Sequence, residues 1–232
     1  FNQLQTLVLD EADRMLDLGF ARELDDLFCA LPKKRQTLLF SATFSEAIRG
    51  MAKELLRDPL SIEVSPRNAA AKSVKQWLIP VVNKRTAELF LHLYRSQRWS
   101  QVLVFVKTRK GVDELEAELQ RQGISADAIH GDKPQPTRLR ALQRFKNNEV
   151  KVLVATDVAA RGLDIDDLPL VVNFDLPIVA EDYVHRIGRT GRAGATGQAV
   201  SLVCADEVQH LSAIEALIQQ VLKRVDEPDF IP

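Results

Sequence analysis

The chain has 232 residues, 46% of them hydrophobic, which suits one large domain or one domain with part of another. Its formal charge of −1 carries no global basic footprint, so any grip on phosphate must be local. No apolar run approaches the roughly 18 residues of a membrane span, no signal-peptide pattern opens the chain, and the lone Cys29 and Cys204 form no metal spacing and suit a reducing cytosol.

Phe1 is not an initiator methionine and an apolar strand follows almost at once, so the first residue reads as a cut rather than a natural start. That strand, Thr6–Leu9, ends in Asp10-Glu11-Ala12-Asp13. A second strand, Thr37–Phe40, ends in Ser41-Ala42-Thr43. Thr43 and Glu46 make a capping box for a helix that aligns Ile48, Met51, Ala52, Leu55 and Leu56, and Asp58-Pro59 stops it. The two strands so far cannot close a stable core by themselves. Residues 64–73 are small and polar with no apolar period, and read as an interdomain linker.

Beyond the linker, short apolar runs alternate with stretches of helical period. Strands are expected at Val102–Val106, Ser125–Ile129, Val152–Ala155, Pro169–Phe174 and Gln198–Val203. One helix carries Val112, Leu115 and Leu119 and is capped by Gly123; the next carries Leu139, Leu142 and Phe145, with Pro136 in its first turn; a last one aligns Leu211, Ile214, Leu217, Ile218 and Val221. The pattern predicts an α/β fold, a parallel sheet with helices on both faces and strands buried on both sides. It divides into residues 1–63, a partial lobe, the linker 64–73, a complete lobe over 74–222 and the start of a tail at 223–232.

In such sheets ligands bind beyond the carboxyl ends of the strands. Polar and ionisable residues collect there: Asp10-Glu11 and Ser41-Ala42-Thr43, then Lys107-Thr108, His130-Gly131-Asp132 and Thr156-Asp157. An apolar strand ending in two carboxylates is the layout of a Walker-B element, where the first holds Mg²⁺ through water and the second orients the attacking water. Read more plainly, Asp10 and Asp13 only favour the start of the next helix. Arg186, Arg189 and Arg192 recur at intervals of three among glycines with no acid from His185 through Thr196, a spacing that can clamp a transferring phosphoryl group or can be an exposed basic turn. Thr156-Asp157, Arg161-Gly162 and Asp164 follow the strand Val152–Ala155, where the threonine hydroxyl and amides suit an RNA phosphate that Arg161 could neutralise, or make a capped turn with an ordinary salt bridge, and Gln135 with Arg138 could face phosphate from a helix start. His92 and His210 read as packing or surface residues, Trp77, Tyr94 and Trp99 as core, Lys33-Lys34-Arg35 as a solvated loop, and both cysteines as small buried hydrophobes.

Taken in order, these strings resemble the motifs of the DEAD-box ATP-dependent RNA helicases. Asp10 to Asp13 matches motif II, Ser41-Ala42-Thr43 motif III, Leu103 to Thr108 motif IV, Gln135-Pro136-Thr137-Arg138 the element after it, Ala155 to Asp164 motif V, and His185 to Arg192 motif VI. Residues 14–20 and 177–194 look most like the bacterial RhlE-type branch. The resemblance implies two RecA-like lobes, ATP with Mg²⁺ as cofactors, a cytoplasmic location, and RNA held largely by its backbone.

It assigns Asp10 to Mg²⁺ through water and Glu11 to the hydrolytic water. Asp13, Ser41, Thr43 and His185 would couple nucleotide state to RNA, His185 through the motif II carboxylates. Asp164 would meet the ribose, and Arg189 and Arg192 the γ-phosphate. Thr108, Gly131, Gln135, Arg138 and Thr156 would lie on RNA.

The sequence departs from the family by holding no Gly-x-x-x-x-Gly-Lys-Ser/Thr and no adenine-reading Gln motif, so the chain alone is expected not to hydrolyse ATP. Pro134 and Pro136 also change the wording around Gln135. The alternatives are a stand-alone RNA-binding or adaptor module without ATPase activity, against which Glu11, Arg189 and Arg192 argue, and a DNA helicase or remodelling ATPase, against which Asp13 and His185 argue.

Overall fold

A computed structural model describes residues 1–17, 19–41, 46–63, 74–82, 85–160, 163, 165, 167–191, 197–228 and 230. The chain divides into two compact units, Phe1–Arg67 and Asn68–Pro232.

The first unit pairs β1 (Thr6–Leu9) with β2 (Gln36–Leu39) in parallel, Leu9 opposite Leu39. Helices α1 (Ala12–Asp17) and α2 (Ala21–Ala30) connect them, and α3 (Glu46–Leu55) follows. The buried side chains are few, among them Leu9, Ala12, Leu24 and Ile48. Contrary to the expectation of strands buried on both faces, Val8 is 55% and Leu38 is 38% exposed. The reason is the period of two along a strand: Leu9 turns one way and Val8 the other, where no second layer exists among the described residues of this unit. Cys29, expected buried, is exposed on α2. The capping box at Thr43 and the linker 64–73 lie outside the described residues.

The second unit is a parallel sheet of order β5-β6-β4-β7-β8-β3-β9. Its elements are β3 (Val74–Pro80), α4 (Thr86–Ser96), β4 (Val102–Phe105), α5 (Arg109–Arg121), β5 (Ala126–Ile129), α6 (Gln135–Lys146), β6 (Val152–Ala155), α7 (Asp157–Ala160), β7 (Leu170–Asn173), α8 (Ala180–Ile187), β8 (Gly197–Val203), α9 (Val208–Ile218) and β9 (Lys223–Arg224). Alternation along the strands builds a core on each face. Val102, Val104, Val152, Val154 and Val172 turn to α4 and α5, and pack on Leu89, Phe90, Val112, Leu115 and Leu119. Leu103, Phe105, Leu153 and Val171 turn the other way, onto Ala141 and Phe145 of α6 and Ala159 of α7. On that second face α8 and α9 cover β3 and β8 through Tyr183, Ile187, Ile214 and Ile218.

Local chemistry explains where the helices stop and start. Gly123, at φ +75°, follows α5 as a left-handed cap. Its N–H donates to the Gln120 carbonyl and that of Ile124 to the Leu119 carbonyl, the paired bonds of a Schellman motif, while Ile124 and Leu119 share a core. Pro136 lies in the first turn of α6, where its missing N–H is not needed. The core face of α6 is Ala141 and Phe145 with Leu142 partly buried; Leu139, expected inside, is 52% exposed. At the end of α9 it is Leu222, not Val221, that is buried, because the left-handed Gln219 breaks the helical period before residue 221. The missed strand β3 runs between β8 and β9. Edge strand β9 is short and charged, a form that discourages pairing with other chains.

Candidate functional site

In the first unit, parallel pairing brings the candidate residues out of adjacent strands at one edge. Phe40 N–H donates to the Leu9 carbonyl and Ala12 N–H to the Phe40 carbonyl, so Asp10-Glu11 and Ser41 emerge side by side. Glu11 sits at φ +51°, a left-handed conformation that non-glycine residues seldom adopt. That turn directs its carbonyl to the N–H groups of Arg14 and Met15, starting α1. Asp10 is exposed, and its Oδ1 accepts the Glu11 N–H at 2.9 Å. Asp13 is buried and its Oδ1 accepts the Arg14 N–H at 3.0 Å. Ser41 is half-buried; Thr43 lies outside the described residues.

In the second unit the chain winds from β4 through β5 and β6 to one side, then crosses to β7 and β8 on the other. The carboxyl ends of β4, β6 and β7 therefore flank a topological switch point, where doubly wound sheets open a crevice. Phe105, Asp157, Ala160, His185, Arg186 and Arg189 line that crevice. The segments matched to motifs IV, V and VI thus meet at one place.

Arg186 is the surprise of this crevice. Its spacing with Arg189 and Arg192 suggested a phosphate clamp, yet it is only 2% exposed and fully engaged inside the fold. Nε and Nη2 donate to the two Asp157 oxygens at 2.6 and 2.7 Å. Nη1 donates to Asn173 Oδ1 at 3.1 Å and to the Asp175 carbonyl at 2.6 Å. The guanidinium carbon also lies 5.0 Å from the centre of the Phe105 ring, a cation–π distance. Arg186 is a structural keystone that ties β4, β7, α7 and α8 together. Arg189, three residues further on in the turn after α8, is half-buried and donates from Nη1 to the Leu163 carbonyl at 3.2 Å. Arg161, Gly162, Asp164 and Arg192 lie outside the described residues.

The candidate RNA residues gather at the β4–β5–β6 end of the same edge. Thr108 caps α5, its Oγ1 accepting the Gly111 N–H at 3.0 Å, which leaves the hydroxyl proton as a donor. Gly131 is exposed after β5. The loop around it is held by the buried His130, whose Nε2 lies 2.9 Å from Asp113 Oδ1 and whose Nδ1 accepts the Asp132 N–H at 3.3 Å. The Nδ1 contact requires the proton on Nε2. Arg109 pairs with Asp132 at 2.5 Å over Gly131. On α6, Arg138 donates to Gln135, and the Arg138 Nε is buried without a partner among the described residues. Thr156 is 9% exposed, and its carbonyl accepts the Ala159 and Ala160 N–H groups.

Two carboxyls behind the crevice are perturbed. Burial pushes Asp175 above its usual 3.8, against the Lys107 N–H that donates to it and the charges of Arg186 and Lys107. Burial likewise raises Glu207, which accepts the N–H groups of Cys204 and Leu176. Burial also pushes at Asp113, but hydrogen bonds from His130 and Lys133 outweigh it and hold that carboxyl low. A raised folded value means that the folded state binds the proton more tightly. The Asp175 contribution to stability is then fully present below about pH 4 and lost as pH rises through the folded value. Asp113 has the opposite sign, and its contribution is lost only as pH falls below about 4. Asp175→Asn should therefore flatten the decline in stability as pH rises above about 4, leaving the acid limb in place. Urea midpoints measured across that range test this; curves parallel to the parent would refute it.

Residues 84–194 match the helicase conserved C-terminal domain and residues 1–50 the DEAD/DEAH box helicase domain. The chain is 43% identical over 216 residues to the ATP-dependent RNA helicase RhlB of Pseudomonas syringae pv. tomato, covering 92% of this chain and 54% of that protein. It is 41% identical over 225 residues to the DEAD-box ATP-dependent RNA helicase CshA of Geobacillus kaustophilus, covering 97% of this chain and 48% of that one. The chain thus spans about half the length of the curated relatives it matches. Among solved structures, S. cerevisiae Dbp5 bound to RNA and ADP BeF3 matches with a TM-score of 0.87 at 33% identity, over 99% of this chain and 61% of that one. The E. coli DEAD-box protein SrmB, bound to regulator of ribonuclease activity A, matches with a TM-score of 0.62 at 38% identity, over 66% of this chain and 90% of that one.

Proposed function

The chain belongs to the DEAD-box helicase family, and from that premise we propose that it supplies part of an ATP-dependent RNA helicase, coupling ATP hydrolysis to local duplex separation or remodelling of RNA–protein complexes. The observation that carries this reading is the convergence of Asp157, His185, Arg186 and Arg189 on one crevice, at the edge where Thr108, Gly131, Gln135 and Arg138 also emerge. A binding module would have no need of a half-buried arginine, Arg189, at the lip of such a crevice.

The residues fit the groups the family uses. Asp10 and Glu11 offer hard carboxylate oxygens, and Mg²⁺ needs only one or two of these because it keeps water and phosphate ligands. We assign Asp10 to that ion through water and Glu11 to orienting the attacking water. Arg189 and Arg192 are assigned to charge on the γ-phosphate, and Asp164 to the ribose. Asp13, Ser41, Thr43 and His185 are assigned to coupling. The buried, unpartnered Arg138 Nε is a donor that a backbone phosphate would satisfy. With Thr108, Gly131, Gln135 and Thr156 it forms the proposed RNA face, where contacts to 2′-hydroxyls would favour RNA over DNA. Two lobes joined at 64–73 and a place in the bacterial RhlE-like branch complete the reading, the latter on the wording of residues 14–20 and 177–194. A cytoplasmic site is consistent with the absence, among the described residues, of any helix long and apolar enough to cross a membrane.

The test is phosphate release by the complete gene product with and without RNA, beside RNA binding by this chain. RNA should stimulate release in the complete protein. The chain itself, with no P-loop in its sequence, should hydrolyse nothing but bind RNA weakly, losing affinity steeply with salt by a slope of about 0.7 per phosphate contacted. Salt-independent RNA binding, or a complete protein indifferent to RNA, would overturn the proposal.

A further inference from the structure

A file of buried polar side chains crosses the second unit from Arg186 to the start of β3. Arg186 donates to Asn173 Oδ1, and Asn173 Nδ2 donates to Ser201 Oγ at 3.1 Å. The Ser201 hydroxyl lies next to that of Tyr183, whose Oη donates to Gln76 Oε1 at 2.9 Å. Gln76 Nε2 reaches the Val74 carbonyl at 3.5 Å. Asn173, Ser201 and Tyr183 are fully buried and Gln76 is 7% exposed. Burial holds the Tyr183 phenol far above its usual range, so it stays a proton donor. Arg186, Asn173 and Tyr183 each donate toward the next group in the file, and the low local polarity strengthens each of these bonds.

Buried polar groups are costly to leave unpaired, and apolar side chains of the same volume would fill this space as stably. What hydrogen bonds add is a fixed orientation, which apolar packing loses before it loses stability. The helix geometry says what is being oriented. Tyr183 and Arg186 lie three apart on the core face of α8, and bonds at both points fix the helix against rotation about its axis. His185 on α8 and Arg189, in the turn after the Gly188 cap, line the crevice.

We propose that Gln76 and Tyr183 are positioning residues for His185 and Arg189, acting through the orientation of α8. They touch neither nucleotide nor RNA, and the inference rests on the assignment of Arg189 to phosphate made above. Gln76 belongs to β3, directly after residues 64–73, so the file also ties the start of the sheet to the arginine helix.

The experiment compares Tyr183→Phe, Gln76→Met and the double variant in the complete gene product. It measures urea stability, amide exchange over residues 180–190, and kcat and KM for RNA-stimulated ATP hydrolysis. Each single variant strands a buried partner and should lower stability. The double replaces both partners of one bond with apolar groups and should regain much of it. If the bond only stabilises, kcat recovers in step. If it positions, kcat stays down by about tenfold in the double variant, KM for ATP stays within about twofold, and α8 amides keep exchanging faster. Recovery of kcat together with stability, or α8 exchange unchanged by Tyr183→Phe, would overturn the inference. Should the unaltered protein release no phosphate with RNA, the functional assignment fails instead, and the exchange measurement still decides whether Tyr183 orients α8.

Discussion

Arg186→Met should destabilise the second unit by about 3–5 kcal/mol, the range for removing one partner of a buried ion pair. The figure follows from what is left behind. Asp157 keeps its charge in a site where the guanidinium was its bidentate partner. Asn173 Oδ1 and the Asp175 carbonyl lose their donor as well, and Phe105 loses the cation over its ring. Asp157→Asn in the same chain removes the stranded charge and should restore a substantial part of the loss. By contrast Arg189→Ala removes, among the contacts of that side chain, a bond from Nη1 to a neutral acceptor, the Leu163 carbonyl, at 3.2 Å. It should cost about 0.5–1.5 kcal/mol. Urea denaturation of the four chains measures all of this. An Arg186→Met loss no larger than that of Arg189→Ala would show that the first arginine is not the keystone its contacts describe.

The two arginines also mark where the sequence is readable and where it stops. The α/β alternation was plain because central strands such as Val102–Phe105 and Val152–Ala155 are apolar throughout, as parallel strands buried on both faces must be. Strand β3 was hidden because Lys75, Gln76 and Pro80 interrupt its apolar run, and the buried Gln76 finds a donor in Tyr183, a residue more than a hundred positions away. Leu139 looked like core because helical spacing cannot say which of two adjacent stripes faces the sheet; the sheet chose Ala141 and Phe145. Val8 and Leu38 looked buried because an apolar strand does not reveal how many layers cover it. The crevice residues were legible as types at strand ends, since the edge at which they gather follows from parallel topology alone. The division of labour among them was not. Arg186 and Arg189 have the same local setting, and only the fold brings Asp157 to one of them across 29 positions of chain.

That division predicts the second large effect. In the complete gene product, Arg189→Ala should lower RNA-stimulated ATP hydrolysis by about 10²–10³-fold, the scale for losing one preorganised group that meets transition-state charge. RNA affinity should change by no more than about threefold, because the proposed RNA face lies on the ends of β4, β5 and β6 and does not use this side chain. Glu11→Gln should show the same split for a different reason: the amide keeps the shape of the side chain at its φ of +51° but cannot take a proton from water. Phosphate release beside RNA binding, both at fixed salt, gives the answer for each variant. A parallel fall in hydrolysis and RNA affinity would place Arg189 among the groups that hold RNA or hold the lobe together, and with that the assignment of motif VI to phosphate would go. The Arg186→Met chain is the control that makes this reading sharp, since a loss through misfolding should lower stability, hydrolysis and RNA binding together. Arg189→Ala should lower only one of the three by a large factor, and that asymmetry between neighbouring arginines is what a phosphate-facing role requires.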